Sequence, residues 1–138
     1  MPIVRRGELS DLSAIEIIQK ASPEAAQWSP TGYLQYDLRV AVLGLHVVAF
    51  VVIRTLAPGE REILNLAVTP ELRRQGIARA LWNALQEGFR GATYLEVRAS
   101  NLAAQKFYKS LGFEELTVRP GYYQNPPEPA IVMKFHSC

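Results

Sequence analysis

The chain has 138 residues, of which 49% are hydrophobic and 20% are charged, and its formal net charge is +2. This length suits a single domain covering residues 1–138, large enough to bury a core without a disulfide or a metal. The weak net charge does not by itself indicate a nucleic-acid binder, and the longest apolar run, 47–53, is far too short to cross a membrane.

The first half of the chain alternates between strand and helix signals. Ser10-Asp11 and Ser29-Pro30 are typical of helix starts, and the first pair precedes apolar residues at helical spacing. The run 47–53 is apolar on both faces, as expected for a strand at the centre of a covered sheet. The predicted elements are a strand at 2–6, a helix from Leu12, a short helix at 30–36, and strands at 37–43 and 46–55 around a turn at Gly44.

The second half predicts a strand–helix–strand unit followed by a further helix and two closing strands. Its elements are a strand at 63–68, a helix after Arg73, a strand at 93–97, a helix between Asn101 and Gly112, and strands at 113–119 and 130–135. The unit at 62–97 requires a parallel strand pair with a right-handed crossover. We therefore predict an α/β domain in the order β-α-α-β-β-β-α-β-α-β-β, with a mixed central sheet and helices on both faces.

The first residues of the chain, its one cysteine and its two histidines indicate the cellular compartment and whether a metal site is expected. The start, MPIVRRGELSDL, has no long apolar run after its arginines, so we expect no signal peptide. Cys138 can form no disulfide within the chain, and we expect a cytoplasmic protein. His46, His136 and Cys138 show neither metal-ligand spacing nor a nucleophile context, so we assign them no role and predict no metal site.

The junction between the strand 63–68 and the following helix predicts an anion site. A basic, glycine-interrupted segment, RRQGIA at 73–78, stands at the helix start, where free N–H groups and the helix dipole favour an anion. Gly76 would let the backbone approach a diphosphate closely, and Arg73, Arg74 and Arg79 add positive charge. Taken alone, the same segment could be a solvated arginine cluster.

Five segments together carry a family resemblance. They are NLAVTP at 65–70, RRQGIA at 73–78, LEVRASN at 95–101, AQKFYKSLGF at 104–113 and GYYQNPPEPAIVMKF at 121–135. With these segments the chain resembles the GNAT superfamily of N-acetyltransferases, and within it the RimI-like family that acetylates the N-terminal alanine of a ribosomal protein. The resemblance implies the GNAT fold and acetyl-CoA as co-substrate.

The resemblance also implies how acetyl-CoA is held. The strand ending at 66–68 would be bulged and would splay from the next parallel strand, leaving its backbone free to pair with the pantetheine arm. The diphosphate would lie at the start of the helix. The implied cofactor residues are Leu66, Ala67, Val68, Arg73, Arg74, Gln75, Gly76, Ile77, Ala78, Arg79 and Asn101. Asn101 could equally serve only as a helix cap.

Two residues are the implied catalytic pair. Strand alternation separates Glu96 from Leu95 and Val97, and the resemblance makes it the general base; the alternative is a surface carboxylate beside Arg98. Tyr108 lies on the following helix, and the resemblance makes it the general acid that protonates the departing thiolate. Its alternative is a core tyrosine.

The acceptor side is the least specific part of the pattern. Trp28, Tyr122 and Tyr123 are the implied substrate contacts, and each could instead be a buried anchor. The RimI-like pattern usually has an acidic residue directly before the last strand, whereas this chain has Pro129 there and Glu128 one residue earlier.

These features predict an N-acetyltransferase that works by direct transfer. The favoured acceptor is the N-terminal alanine α-amine of a ribosomal protein; the alternatives are a small-molecule amine or another protein amine. A non-catalytic acyl-CoA-binding or interaction module is the alternative of another class, and it would need neither Glu96 nor Tyr108. A nucleic-acid binder is a third alternative, which the charged and aromatic residues do not favour because they form no stripe. We expect a monomer with no membrane partner and no direct nucleic-acid partner.

Overall fold

A computed structural model describes residues 2–123 and 127–137. The strands are β1 (Ile3–Arg6), β2 (Asp37–Leu43), β3 (His46–Ala57), β4 (Glu60–Val68), β5 (Gly91–Arg98), β6 (Glu114–Tyr123) and β7 (Glu128–Ser137). The helices are α1 (Leu12–Lys20), α2 (Ile77–Gln86) and α3 (Leu102–Leu111), with 3-10 turns at Leu9–Asp11, Pro30–Gln35 and Pro70–Leu72. The predicted order is confirmed, although the second predicted helix is a 3-10 turn.

All seven strands of the described chain form one mixed sheet in the order β1-β2-β3-β4-β5-β7-β6. The pair β4–β5 is parallel, as predicted for the unit at 62–97, and the other neighbours are antiparallel. Strand β3 lies inside the sheet with residues 48–53 buried, which confirms the prediction from its apolar run. The cleft described below opens between β4 and β5.

The two faces of the sheet carry separate cores. Phe50 and Val52 point to the face covered by α1 and the turn Pro30–Gln35. Val51 and Ile53, their neighbours along β3, point to the face covered by α2 and α3. Alternate residues of one strand therefore fill both cores, which explains why β3 is apolar throughout.

Of the three predicted helix starts, the structure confirms that of α3 and differs from the prediction at α1 and α2. Asn101 caps α3 by accepting a hydrogen bond from the Ala104 amide at 3.1 Å, as predicted. Asp11 makes no side-chain cap for α1; its carboxylate instead accepts both guanidinium nitrogens of Arg5, at 2.8 and 2.9 Å. Helix α2 begins at Ile77 and not directly after Arg73, because two left-handed residues precede it.

A buried arginine fastens the end of α2 to the sheet. The Arg61 guanidinium donates to the Leu85 carbonyl at 3.0 Å and to Thr93 Oγ1 at 3.0 Å, and it lies 3.6 Å from the centre of the Phe89 ring. Burial lowers the pKa of Arg61 to about 10, so it remains a cation at neutral pH. A cation placed against the last carbonyls of a helix stabilises that helix end.

Candidate active site

Strands β4 and β5 separate midway along their length. Their parallel pairing runs from Glu60 opposite Ala92 to Ile63 opposite Leu95 and then ends. Beyond that point the facing edges of the two strands line a cleft of about 1600 Å³. Ordinary small-molecule pockets hold about 300–1000 Å³. The cleft therefore has room for a long co-substrate together with an acceptor.

A β-bulge in β4 marks the point of separation. Asn65 pairs with Val52 and Ile63 pairs with Ile53, so Leu64 is an extra residue in the ladder with β3. As a result Leu64 and Asn65 both face α1, whereas Leu66 returns to the face of α2. A bulge bends its strand and increases the local twist. The bulge and the splay that the resemblance implied are both present.

The bulge is held by a buried polar network that reaches the acceptor side of the cleft. Asn65 Nδ2 donates to the Ala26 carbonyl at 2.9 Å and to Gln19 Oε1 at 3.1 Å. Gln19 Nε2 in turn donates to the Trp28 carbonyl at 2.5 Å, and the Tyr33 hydroxyl donates to Gln19 Oε1. The segment carrying Trp28 is thus fixed to the strand that opens the cleft.

The start of α2 presents an open set of backbone donors. Arg74 and Gly76 have positive φ angles of 65° and 79°, which turn the chain sharply into the helix. No side chain in residues 2–123 or 127–137 caps α2, so within this part of the chain the first N–H groups of the helix lack a side-chain acceptor. A Cβ added to Gly76 would meet nothing within 4 Å. This arrangement fits a diphosphate, because donors converge on a space that glycine leaves clear.

The three arginines near the start of α2, Arg73, Arg74 and Arg79, have different partners. Arg73 turns toward the acceptor side, donating to Ser22 Oγ at 2.8 Å and pairing with Glu24 at 3.1 Å. Arg79 donates to Ser110 Oγ on α3 at 3.1 Å. Arg74 forms no ion pair within the described part of the chain and lines the cleft. Arg74 is therefore the side chain best placed to meet a diphosphate.

The structure brings nearly all the predicted site residues to the wall of this cleft. Gln75 alone among them does not line it. Those that do are Trp28, Leu66, Ala67, Val68, Arg73, Arg74, Gly76, Ile77, Ala78, Arg79, Glu96, Asn101, Tyr108, Tyr122 and Tyr123.

Glu96 lies on β5 just beyond the point where the strands part. Its Oε1 accepts a hydrogen bond from Arg119 Nη1 at 2.6 Å, and its side chain is 15% exposed. Its Oε2 is buried and has no hydrogen-bond partner among the described residues. Arg98, the neighbour weighed as an alternative partner, pairs with Glu128 at 3.3 Å. An oxygen left unpaired at a buried site costs free energy unless a ligand supplies a donor.

A second bulge places Arg119 beside Glu96. Along β6, Arg119 pairs with Ala130 and Tyr123 pairs with Glu128, so β6 has two extra residues over this stretch. Pro120 has no N–H to donate, and Gly121 has a φ of 63°. The irregular backbone brings the Arg119 guanidinium to Glu96 and to the ring of Tyr122, whose centre lies 4.4 Å away.

Tyr108 is buried on α3 and lines the cleft. Its ring packs 5.5 Å from that of Phe113 and 5.3 Å from that of Phe107. Burial, and then the nearby Tyr123, raise the pKa of the Tyr108 phenol well above its ordinary value. The phenol is therefore protonated at neutral pH and can donate a proton.

The other aromatic residues of the site lie at its mouth. Trp28 is 50% exposed and Tyr122 is 44% exposed, so neither is a buried anchor. Burial, followed by the charge of Glu96, raises the pKa of Tyr123 to about 12. Burial and then Glu96 also raise the pKa of Tyr122. Both phenols remain neutral hydrogen-bonding groups around the Glu96 carboxylate.

Three charged residues of this site did not stand out in the sequence. Arg119 pairs with Glu96, and Glu62 lines the cleft while pairing with Arg54 at 2.5 Å. Glu128, which the sequence marked only as displaced by one position, accepts from the Ser100 amide at 3.0 Å and so holds the turn before α3. For Arg119, the sequence signal available was the pair Pro120-Gly121, which indicates an irregular strand directly after it. The segment Gln124–Pro126 of the predicted closing loop and Cys138 lie outside the described residues.

The comparisons with known proteins agree with this geometry. The model of the acetyltransferase (GNAT) family matches residues 10–113. The chain belongs to this family. It is an acetyltransferase with the GNAT fold, as the resemblance implied.

Two named relatives illustrate the similarity. The ribosomal protein bS18-alanine N-acetyltransferase of Haemophilus ducreyi is 40% identical over 98 residues, which cover 66% of this chain and 67% of that protein. Alignments with curated enzymes of that name span about half to two thirds of their length, between 54% and 67%. The crystal structure of the ribosomal-protein-S18-alanine N-acetyltransferase from Escherichia coli has a TM-score of 0.84 at 32% identity, covering 100% of this chain and 96% of that one.

A third comparison concerns the fold. A GNAT family acetyltransferase from Elizabethkingia anophelis with acetyl-CoA bound has a TM-score of 0.78 at 15% identity, covering 98% of this chain and 97% of that one.

Within residues 2–123 and 127–137, no group of three or more histidine, cysteine, aspartate or glutamate side chains could hold a metal ion. No helix in the described chain has the length and apolar character of a membrane span.

Proposed function

We propose that the protein transfers the acetyl group of acetyl-CoA to the N-terminal α-amine of a protein beginning with alanine, a ribosomal protein being the favoured acceptor. The observation that carries the proposal is the cleft between β4 and β5. Its wall carries the uncapped start of α2 together with Glu96, Tyr122 and Trp28. The names of the Haemophilus and Escherichia relatives support the choice of acceptor.

The residues of the cleft fit acetyl-CoA. The unpaired edge of β4 at Leu66–Val68 offers backbone groups to an extended ligand arm, in the manner of an added strand. Gly76 and the first turn of α2 would hold the diphosphate, with Arg74 supplying charge. When bound, acetyl-CoA supplies an activated acetyl group on a thioester.

Glu96 and Tyr108 would move the two protons of the reaction. Glu96 takes a proton from the acceptor ammonium, and the resulting neutral nitrogen bonds to the acetyl carbon as the carbon–sulfur bond breaks. Tyr108 gives its proton to the departing sulfur. The attacking nitrogen loses its second proton, which returns to the Tyr108 phenolate, and Glu96 passes the first proton to solvent. The products are the acetylated amine, the free thiol and one proton released to water.

The energetics of amine deprotonation favour an α-amine as acceptor. An α-amine has a pKa near 7.7–8.0, so forming its neutral state at pH 7 costs about 1 kcal/mol. A lysine amine, with a pKa near 10.4, costs about 4.6 kcal/mol. A single carboxylate that already pairs with an arginine is better matched to the smaller cost.

The acceptor is identified by transfer to a panel of amines. Purified protein is incubated with acetyl-CoA and peptides that begin with alanine, beside the same peptides with a blocked N-terminus and an internal lysine, and beside free polyamines. We expect acetylation of the free alanine terminus only, located by mass spectrometry. Transfer confined to lysine side chains would refute the α-amine assignment, and transfer confined to polyamines would establish the small-molecule alternative.

The non-catalytic alternative is tested in the same experiment. A binding module would bind acetyl-CoA with no transfer to any amine of the panel. Isothermal titration with coenzyme A, run in parallel, separates a module that binds without reacting from a protein that does not bind.

A further inference from the structure

We propose that Arg119 occupies the place of the acceptor ammonium at Glu96, and that the acceptor displaces it on binding. The inference rests on the proposed function, because it assigns a role in acceptor binding to a residue outside the predicted catalytic pair. Arg119 would then be a positioning residue that sets how readily an amine enters the site.

The contacts of Arg119 are those that an acceptor ammonium would need. Its guanidinium donates to Glu96 Oε1 at 2.6 Å. It also lies 4.4 Å from the centre of the Tyr122 ring, and an ammonium is attracted to an aromatic face in the same way. Both contacting groups, Glu96 and Tyr122, line the cleft.

Arg119 is held loosely enough to leave. Its side chain is 53% exposed, against 15% for Glu96, so its departure returns a cation to water at small cost. It extends from β6, the edge strand of the sheet, next to the bulge at residues 120–122. Its one ion pair in the described chain is with Glu96.

Glu96 itself has a reason to change partner. While Arg119 holds Oε1, Oε2 is buried and no residue of the described chain forms a hydrogen bond with it. Release of Arg119 frees Oε1 for the ammonium and lets the carboxylate turn, so that both oxygens can be satisfied in the acceptor complex.

The kinetic test compares Arg119→Met with Arg119→Lys, and uses Arg39→Met as a matched control. Arg39 also pairs with a carboxylate, that of Asp37 at 2.8 Å, but it lies on β2 away from the cleft. We expect Arg119→Met to lower the KM for an alanine-starting peptide about two- to fivefold without lowering kcat, the range that a half-exposed ion pair allows. Arg119→Lys keeps a cation and should change KM less, and Arg39→Met should leave it unchanged.

A binding measurement tests the displacement without turnover. Protein labelled with 15N-arginine and saturated with coenzyme A is titrated with the free-amine peptide, and with the same peptide N-acetylated. The Arg119 guanidinium signal, assigned from its loss in Arg119→Met, should move to the position of a solvent-exposed arginine with the free amine only.

Several results would overturn the inference. A higher acceptor KM in Arg119→Met would make Arg119 a binding residue, and a lower kcat at unchanged KM would mean that it stays on Glu96 during the reaction. If peptides are not acetylated, the α-amine proposal fails, and ethylammonium replaces the peptide in the titration. Displacement by ethylammonium would then support the role of Arg119 independently, and an unmoved signal would refute it.

Discussion

At the scale of single residues, the central prediction is that the Glu96 carboxylate takes a proton from the amine that is to be acetylated. Glu96→Gln keeps the shape and one acceptor oxygen but cannot take a proton. We expect kcat/KM at pH 7 to fall about 100- to 1000-fold, within the usual range for loss of a general base. The deficit should shrink toward pH 9, where an α-amine is already neutral. Steady-state kinetics from pH 6.5 to 9 measure both effects, and a pH-independent deficit would contradict the role.

Tyr108 provides the second residue-scale prediction. Tyr108→Phe removes only the hydroxyl and leaves the packing against Phe113 and Phe107 in place. We expect kcat to fall about 100-fold while the Kd for acetyl-CoA stays unchanged. Because the Tyr108 pKa is raised, the phenol keeps its proton up to at least pH 10, and kcat should show no loss from Tyr108 deprotonation below that pH. A raised Kd with normal kcat would instead make Tyr108 a binding residue.

At the scale of elements, the turn into α2 is the feature to test. Gly76 and Gly44 both have left-handed backbones, with φ angles of 79° and 61°, and a Cβ at either position meets nothing within 4 Å. Alanine should therefore cost each variant a similar amount of stability, about 1 kcal/mol. Only Gly76→Ala should weaken coenzyme A binding, by about tenfold, because Gly76 faces the cleft. Calorimetric titration measures the affinity of both variants for coenzyme A. Equal affinities would show that the diphosphate does not bind at the turn into α2.

The fastening of α2 is a second element-scale prediction. Arg61→Met leaves the Leu85 carbonyl and Thr93 hydroxyl without their donors and should lower the free energy of unfolding by about 2–3 kcal/mol. Arg54→Met is the matched control on the neighbouring strand β3, next to Thr55, which pairs with Arg61. Arg54 is 47% exposed and pairs with Glu62, so its loss should cost less than about 1 kcal/mol. Equal losses in urea unfolding would show that Arg61 is not a stabilising contact.

At the scale of the whole molecule, the sheet consists of two parts that meet in a short parallel ladder. Among the residues that the structure describes, only the pairs from Glu60–Ala92 to Ile63–Leu95 join β1–β4 to β5–β7 within the sheet. A ligand that fills the cleft touches both parts, so binding and unfolding are linked. Coenzyme A at 100 times its Kd should raise the free energy of unfolding by about 2.7 kcal/mol. Thermal unfolding measures this, with adenosine alone as a control that should give a much smaller rise.

Hydrogen exchange locates the same effect. We expect the slower exchange to concentrate in residues 64–68 and in the first turn of α2, with β1 little changed. Equal protection throughout the chain would indicate that the ligand acts on global stability and not through this cleft.

The order of elements could be predicted from the sequence because its signals are local. The alternation in β5, the cap at Asn101 and the apolar stripe of α2 each depend on residues a few positions apart. The positions of Leu66, Glu96 and Tyr108 in one cleft followed from the family resemblance. The Glu96–Arg119 pair could not be predicted, because the two residues lie 23 positions apart and meet only through a bulge beside Gly121. The partners of Arg73 were hidden for the same reason, since Ser22 lies 51 positions away.

The extra residue in β4 has a consequence for how the chain tolerates changes in length. Because Leu64 and Asn65 face the same side, removing Leu64 would restore strict alternation and leave every later residue of the strand on its present face. The core under α1 would lose the contacts of Leu64, but the other core residues would keep their places, and a regular β4 could continue its ladder with β5 past Leu95 and close the gap. We therefore expect a one-residue deletion here to weaken ligand binding by more than it lowers stability, because the cleft depends on one residue more than a regular strand would contain.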